Sequence, residues 1–247
     1  TYFNICGDRT HNTDPNPFDN AQGLFEGAIV DCIITESTFT ECTKPFVFKA
    51  SAGLNIIANN RIEQGGGPAI TLQTAGSRCN VIEGNLFDGQ KGPAIKITTT
   101  DAPTIISNNL FWRNGQAWPP VSQGGTTRNQ DNCHISIGNA SELHITGNTF
   151  QRGARDGGGT INSLPKHIAL IGSMTNGGVV KFTDNDTHTG CTSSSIFSQL
   201  PGFGESRGQF DIDGITIPNP IDYTTGNYLA NTDNDDFATG LNELHKI

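Results

Sequence analysis

Two acidic residues, Glu63 and Asp88, occupy the same position in two similar stretches of the sequence, Arg61-Ile-Glu63 and Leu86-Phe-Asp88. If these stretches form neighbouring strands, the two carboxyl groups lie roughly 5 Å apart, the usual distance between strands. Carboxyls at about 5–5.5 Å suit a retaining glycosidase, and about 6.5–9.5 Å suits an inverting one. The wider spacing would combine Asp88 with a loop carboxylate, Asp131 or Asp156. The pattern predicts acid–base chemistry on a glycosidic bond; the alternative is that Glu63 and Asp88 are ordinary solvated residues on a strand surface.

Side chains suited to holding a sugar follow at the same position of later stretches. Trp112 and Gln151 align with Glu63 and Asp88. An indole ring on an exposed strand gives a sugar ring an apolar face to stack on, and guanidinium groups donate hydrogen bonds to hydroxyls or carboxylates. We expect the substrate-binding residues to be Trp112, Arg113, Trp118, Gln151, Arg152 and Arg155. A packing role for Trp112 beneath the neighbouring loop is the alternative.

The sequence gives no sign of a metal centre. Four histidines, His134, His144, His167 and His188, fall at different positions, and no Cys-x-x-Cys pair suggests zinc. We therefore expect no metal and no cofactor. The six cysteines are too sparse for a disulfide framework, and we expect free thiols.

These positions are defined by an internal repeat. Five stretches align without gaps, at 55–63, 80–88, 104–112, 143–151 and 180–188, and an earlier copy lies at 32–40. The anchoring residues are Ser37, Asn60, Asn85, Asn109, Asn148 and Asn185, and the steps between them are 23, 25, 24, 39 and 37 residues. A period of about 24 residues with strand-like alternation predicts an all-β fold of stacked coils, a single-stranded parallel β-helix.

The repeat predicts which side chains face the interior. Two apolar columns face inward, because side chains alternate along a strand. The first column is Ile34, Ile57, Ile82, Ile106, Ile145 and Phe182, and the second is Phe39, Ile62, Phe87, Phe111 and Phe150. The recurrent Asn at the bend between them is expected to form a buried ladder of amides, each bonded to the next coil.

Two insertions, 113–132 and 152–166, account for the two long steps. Both fall at the same place in the coil, so they should project side by side and form a binding wall; tolerated surface loops are the alternative. The wall would stand beside an outward row, Thr40, Glu63, Asp88, Trp112, Gln151 and His188.

The Asn-x-Phe coil pattern over roughly residues 25–200 resembles the pectate-lyase-like superfamily of right-handed parallel β-helices, which includes phage tailspikes. The resemblance implies a right-handed coil and action on polysaccharides, since these relatives are mostly hydrolases, lyases and epimerases. A shorter stretch, Phe111-Trp-Arg-Asn-Gly-Gln-Ala-Trp-Pro-Pro120 followed by Asn129-Gln-Asp131 and Ile135-Ser-Ile-Gly138, is similar to inulin fructotransferases, which are trimeric β-helices.

Composition limits the partners. The net charge of −9 argues against nucleic acid and anionic membrane surfaces, and no apolar run is long enough to insert into a membrane. An outward apolar column, Ile33, Ile56, Val81 and Ile105 flanked by Leu86 and Leu110, needs covering, by a terminal segment or by association into a homotrimer. The expected partner is a polysaccharide or oligosaccharide, and the expected location is a phage virion or the cell exterior.

The expected organisation is an N-terminal cap or leading coil at 1–30, the β-helix at 31–217 and a capping tail at 218–247. The first residue, Thr1, suggests a trimmed or processed chain. Four functions remain open: a glycoside hydrolase, a receptor-binding spike without catalysis, a fructotransferase-type lyase, and a structural β-helix without a ligand.

Overall fold

The computed structural model describes residues 1–4, 23–74, 79–100, 102–115, 133–151, 168–170, 174–187, 197–199, 209–212 and 215–218. The first ten strands in these segments are β1 (Tyr2–Asn4), β2 (Phe25–Gly27), β3 (Ile33–Thr35), β4 (Thr38–Thr40), β5 (Phe46–Phe48), β6 (Ile56–Ala58), β7 (Arg61–Glu63), β8 (Ile70–Thr74), β9 (Asn80–Glu83) and β10 (Leu86–Asp88). The others are β11 (Ile95–Thr100), β12 (Thr104–Ser107), β13 (Leu110–Trp112), β14 (Ile135–Thr146), β15 (Thr149–Phe150), β16 (Ile168–Leu170), β17 (Met174–Thr183), β18 (Asp186–Thr187), β19 (Phe197–Gln199), β20 (Gln209–Ile212) and β21 (Ile215–Pro218). Across these ranges, no helix is long and apolar enough to cross a membrane.

Each coil contributes one strand to each of three faces. The first face contains β3, β6, β9 and β12, the second contains β4, β7, β10 and β13, and the third contains β5, β8 and β11. The long strand β14 pairs with β11 through its first half and with β12 through its second half, so it joins the third face to the first. Strands within a face are parallel, which confirms the predicted parallel β-helix.

The predicted register is confirmed along the chain. Ile57 is opposite Ile82, Ile82 is opposite Ile106, and Ile106 is opposite Ile145. Phe182, the last residue of the predicted column, is opposite Ile145. Residues about 24 apart in sequence are therefore neighbours in space, and an outward residue can be placed beside its equivalents by counting along the repeat.

One hydrophobic core runs through the described coils. All five members of the second apolar column are buried, and the rings of Phe111 stack between those of Phe87 and Phe150, at centroid distances of 5.1 and 4.9 Å. Burying a side chain of this size stabilises the fold by about 1.5–3 kcal/mol relative to leaving it exposed. Each coil supplies only one tier of this core, so the coils must stack to bury it.

The buried Asn ladder is present as predicted. The amide oxygen of Asn109 accepts hydrogen bonds from the backbone N–H and the side-chain amide of Asn85, at 2.9 and 3.0 Å. The Asn85 amide also donates to the carbonyl of Ile57 at 2.8 Å. The same pattern joins Asn60 to Asn85 and Asn109 to Asn148. The ladder satisfies backbone groups at the sharp bend between the first and second faces.

The two ends of the described structure differ. At the start, β1 pairs with β4 and β2 pairs with β5, so both belong to a leading coil of the β-helix. At the other end β20 pairs with β17 in parallel and with β21 in antiparallel fashion. The last two described strands are therefore antiparallel to each other, and residues 219–247 of the expected capping tail lie outside the described residues.

Candidate functional site

The second face carries the predicted outward row on successive strands. Thr40 is opposite Glu63, Glu63 is opposite Asp88, and Asp88 is opposite Trp112. Gln151 follows, since its backbone N–H donates to the carbonyl of Phe111 at 2.9 Å. We call these five residues the side-wall row; His188, expected as its next member, lies outside the described residues.

Asp88 is held by Arg113 from the following coil. The guanidinium donates from Nε to Oδ1 at 2.7 Å and from Nη2 to Oδ2 at 2.5 Å, so both carboxylate oxygens are engaged. Asp88 is 5% exposed. Asp88 is therefore not an ordinary solvated surface residue, which was the alternative drawn from the sequence. A bidentate pair of this kind fixes the orientation of both groups.

Arg113 lies at the corner directly after β13, and the backbone there directs its side chain toward Asp88. Its backbone is left-handed, with φ 56°, as is that of Gln64 at the equivalent corner, with φ 51°. The guanidinium carbon lies 4.4 Å from the centroid of the Trp112 ring, a cation–π contact. The hydrogen bond to Asp88, followed by the charges of Asp88 and Glu63, raises the pKa of Arg113 against the opposing effect of burial. The cation therefore stays charged between Asp88 and Trp112.

Glu63 has a different partner. Its Oε1 lies 2.6 Å from Nη2 of Arg61, two residues earlier on the same strand. The Arg61 side chain is 60% exposed and that of Glu63 is 16% exposed, so this ion pair is screened more strongly by solvent than the Asp88–Arg113 pair. The two carboxylates therefore share a row and a register but have different environments.

Five predicted site residues lie outside the described residues. They are Trp118, Asp131, Arg152, Arg155 and Asp156. Both insertions fall largely in the same gaps, and the binding wall they were expected to form stays a prediction. The structure brings together Glu63, Asp88, Trp112, Arg113 and Gln151.

Sequence reasoning missed a second polar column next to the site. Gln90 donates its backbone N–H to the amide oxygen of Asn114 at 3.1 Å, and the Asn114 amide lies 3.2 Å from Nδ1 of His134. Because the amide nitrogen can only donate, Nδ1 accepts and Nε2 carries the proton toward the Gln151 carbonyl, 2.6 Å away. The signal was available, since Gln90 and Asn114 each come three residues after a Phe of the inward column.

The described residues contain no group of three or more His, Cys, Asp or Glu side chains arranged to hold a metal ion. His144 pairs with Glu142, with Nε2 2.6 Å from Oε1. Cys32, Cys42, Cys79 and Cys133 are free thiols, in agreement with the prediction, and the other two cysteines fall outside the described segments.

Comparison with known proteins identifies the family. Residues 11–150, more than half of the chain, match the family described as the right handed beta helix region. The chain belongs to this family, which confirms the right-handed parallel β-helix implied by the Asn-x-Phe pattern. The family falls within a polysaccharide-related superfamily of β-helices. No curated protein and no solved structure matches the chain.

Proposed function

We propose that the side wall of this β-helix binds a polysaccharide and that Glu63 and Asp88 supply the carboxylates for its cleavage. One observation carries the proposal: Glu63, Asp88 and Trp112 lie side by side on three successive strands of one face, and Gln151 follows directly after the fourth. Neighbouring strands are about 4.8 Å apart, so the row presents acidic, aromatic and amide groups along a line that an extended sugar chain can follow.

The environments of the two carboxylates suggest separate roles. Both oxygens of Asp88 accept hydrogen bonds from Arg113, which suits an ionised nucleophile or a group that stabilises positive charge on the sugar. We assign to Glu63 the proton transfer to the leaving oxygen, for which its carboxyl group must release Arg61 when the sugar chain binds. The partly exposed Trp112 ring provides the apolar surface for stacking.

The test combines a binding assay with an assay for new chain ends. The protein is incubated with polysaccharides of several classes while reducing ends, unsaturated products and dissociation constants are measured. Glu63→Gln should retain binding and lose release of reducing ends, whereas Trp112→Ala should weaken binding about tenfold or more, the loss expected for a stacking platform. Gln73→Ala, an exposed residue on the third face, is the control and should change neither.

A receptor-binding domain without catalysis is the second candidate. It is favoured by the ion pairs themselves, because both carboxylates are already paired with arginines. In that case the same panel gives binding that depends on Trp112 and no new chain ends with any polysaccharide. A fructotransferase-type lyase would instead release a cyclic difructose from inulin, a product that mass spectrometry identifies.

We also propose that the protein acts as a homotrimer outside the cell or on a phage tail. The support is the apolar column on the first face, in which Ile33 is 67% exposed and Ile56 is 37% exposed. Association would cover this column. Light scattering that gives a monomer mass at micromolar concentration would contradict the trimer.

A further inference from the structure

The charges along the side-wall row cancel in pairs. Glu63 is paired with Arg61, and Asp88 with Arg113. The remaining members of the row, Thr40, Trp112 and Gln151, carry no formal charge. These groups together therefore contribute a formal charge of zero, in a chain whose net charge is −9.

The cation that contacts the Trp112 ring, Arg113, uses its best anion-binding edge for Asp88. A guanidinium binds a carboxylate most strongly through two parallel N–H donors. In Arg113 the Nε and Nη2 donors that form such an edge both point to Asp88. A uronate or sulfate would have to compete with Asp88 for this edge or bind the remaining N–H groups while facing the negative charge of Asp88.

The other groups of the row favour hydroxyls. The Thr40 hydroxyl and the Gln151 amide can each donate and accept a hydrogen bond, as sugar hydroxyls do. Trp112 adds an apolar face, and the Arg113 guanidinium beside it retains donors for hydroxyl oxygens. At low ionic strength the net charge of the chain also repels an acidic polymer.

We infer that this site takes a neutral polysaccharide rather than one built from uronic acids or sulfated sugars. The inference rests on the proposed function and specifies its substrate class. Asp88 then has a second role: it neutralises Arg113 and so excludes acidic chains from the row.

The test compares matched panels in the same binding assay. Dextran, galactomannan and arabinoxylan serve as neutral probes, and polygalacturonate, alginate and chondroitin sulfate serve as acidic probes. At least one neutral probe should bind the wild-type protein about tenfold more tightly than any acidic probe at low salt, and its affinity should change little as salt is raised. Tighter binding of an acidic probe would overturn the inference, and binding of neither panel would refute the proposed function itself.

A variant that removes the counter-charge of Arg113 tests whether Asp88 excludes acidic chains. Asp88→Asn leaves the Arg113 cation without its counter-charge and should strengthen binding of acidic probes by about tenfold at low salt, an effect that salt removes. The control is the double variant Asp88→Asn/Arg113→Gln, which lacks the cation and should show no such gain. If Asp88→Asn folds, as judged by its circular dichroism spectrum, and acidic binding stays unchanged, Asp88 does not exclude acidic chains. If the variant fails to fold, the wild-type comparison still decides the substrate class.

Discussion

Phe111 and Trp112 are neighbours in the chain but lie on opposite sides of β13. The ring of Phe111 is 0% exposed and stacks between two equivalent phenylalanines from the adjacent coils. Trp112 is partly exposed and has Asp88 beside it on one side and Gln151 on the other. The inward column repeats because each tier must fit the next, while the outward row varies from coil to coil. Variation within a fixed register is what allows this side of the molecule to carry a site.

The largest expected effect is the difference in the free energy of unfolding between two single variants, Phe111→Ala and Trp112→Ala. Phe111→Ala removes a ring from the middle of the stack and should lower the free energy of unfolding by about 3–5 kcal/mol, the cost of a large core cavity. Trp112→Ala removes a partly exposed ring and a cation–π contact, and should cost about 1 kcal/mol or less. Urea unfolding followed by circular dichroism measures both, since that signal does not depend on the tryptophan. Equal losses in the two variants would mean that Trp112 is a packing residue.

The inward-facing positions of the β-helix were predictable from the sequence. The anchoring asparagines and the Ile and Phe columns recur at a period of about 24 residues, so the register, the buried ladder and the direction of the side chains on the first two strands of each coil followed from counting. Core positions are repetitive because identical neighbours stack well, and a repeat is visible in a single sequence.

The surroundings of the outward-facing residues were predictable only in part. The neighbours of Asp88 in the row followed from the register, but its bidentate pairing with Arg113 did not, because it depends on a left-handed residue at a corner. In the sequence the third strand of each coil is marked only by a short repeat at its start, Gly67-Pro-Ala-Ile70 and Gly92-Pro-Ala-Ile95, which does not show that a strand follows. The burial of His134 was missed because its position is held by Ala69 and Ala94 in the preceding coils.

The next effect in size compares two adjacent asparagines. Asn109 is buried in the ladder, and Asn108 is exposed with φ 55°. Asn109→Ala leaves the backbone N–H of Asn85 and the carbonyl of Ile82 without their side-chain partners, and each buried group left unpaired costs about 1–3 kcal/mol. We therefore expect a loss of about 3 kcal/mol in urea unfolding.

Asn108→Gly is the matched control, because glycine readily adopts a positive φ and the side chain lost is exposed. It should lower the free energy of unfolding by only a few tenths of a kcal/mol, about what an exposed turn substitution costs. A loss for Asn109→Ala as small as that of the control would show that the ladder satisfies the bend without contributing to stability.

The smallest expected effect separates the two ion pairs of the side-wall row. In a double-mutant cycle on Asp88 and Arg113, the coupling energy should be about 1–2 kcal/mol, because the Asp88 side chain is 7% exposed and both of its oxygens are bonded. The Arg61–Glu63 cycle should give less than about 0.5 kcal/mol, since the Arg61 side chain is 60% exposed and water screens the pair. Glu63→Gln and Asp88→Asn remove charge with little change of shape, while Arg61→Gln and Arg113→Gln remove the guanidinium and shorten the side chain; the cycles are run in urea at low and at high salt. Added salt should reduce the Arg61–Glu63 coupling further and leave most of the Asp88–Arg113 coupling in place, because buried pairs are screened less. Equal couplings with equal salt dependence would place the two carboxylates in equivalent environments, and the separate roles proposed for Glu63 and Asp88 would then lose their physical basis.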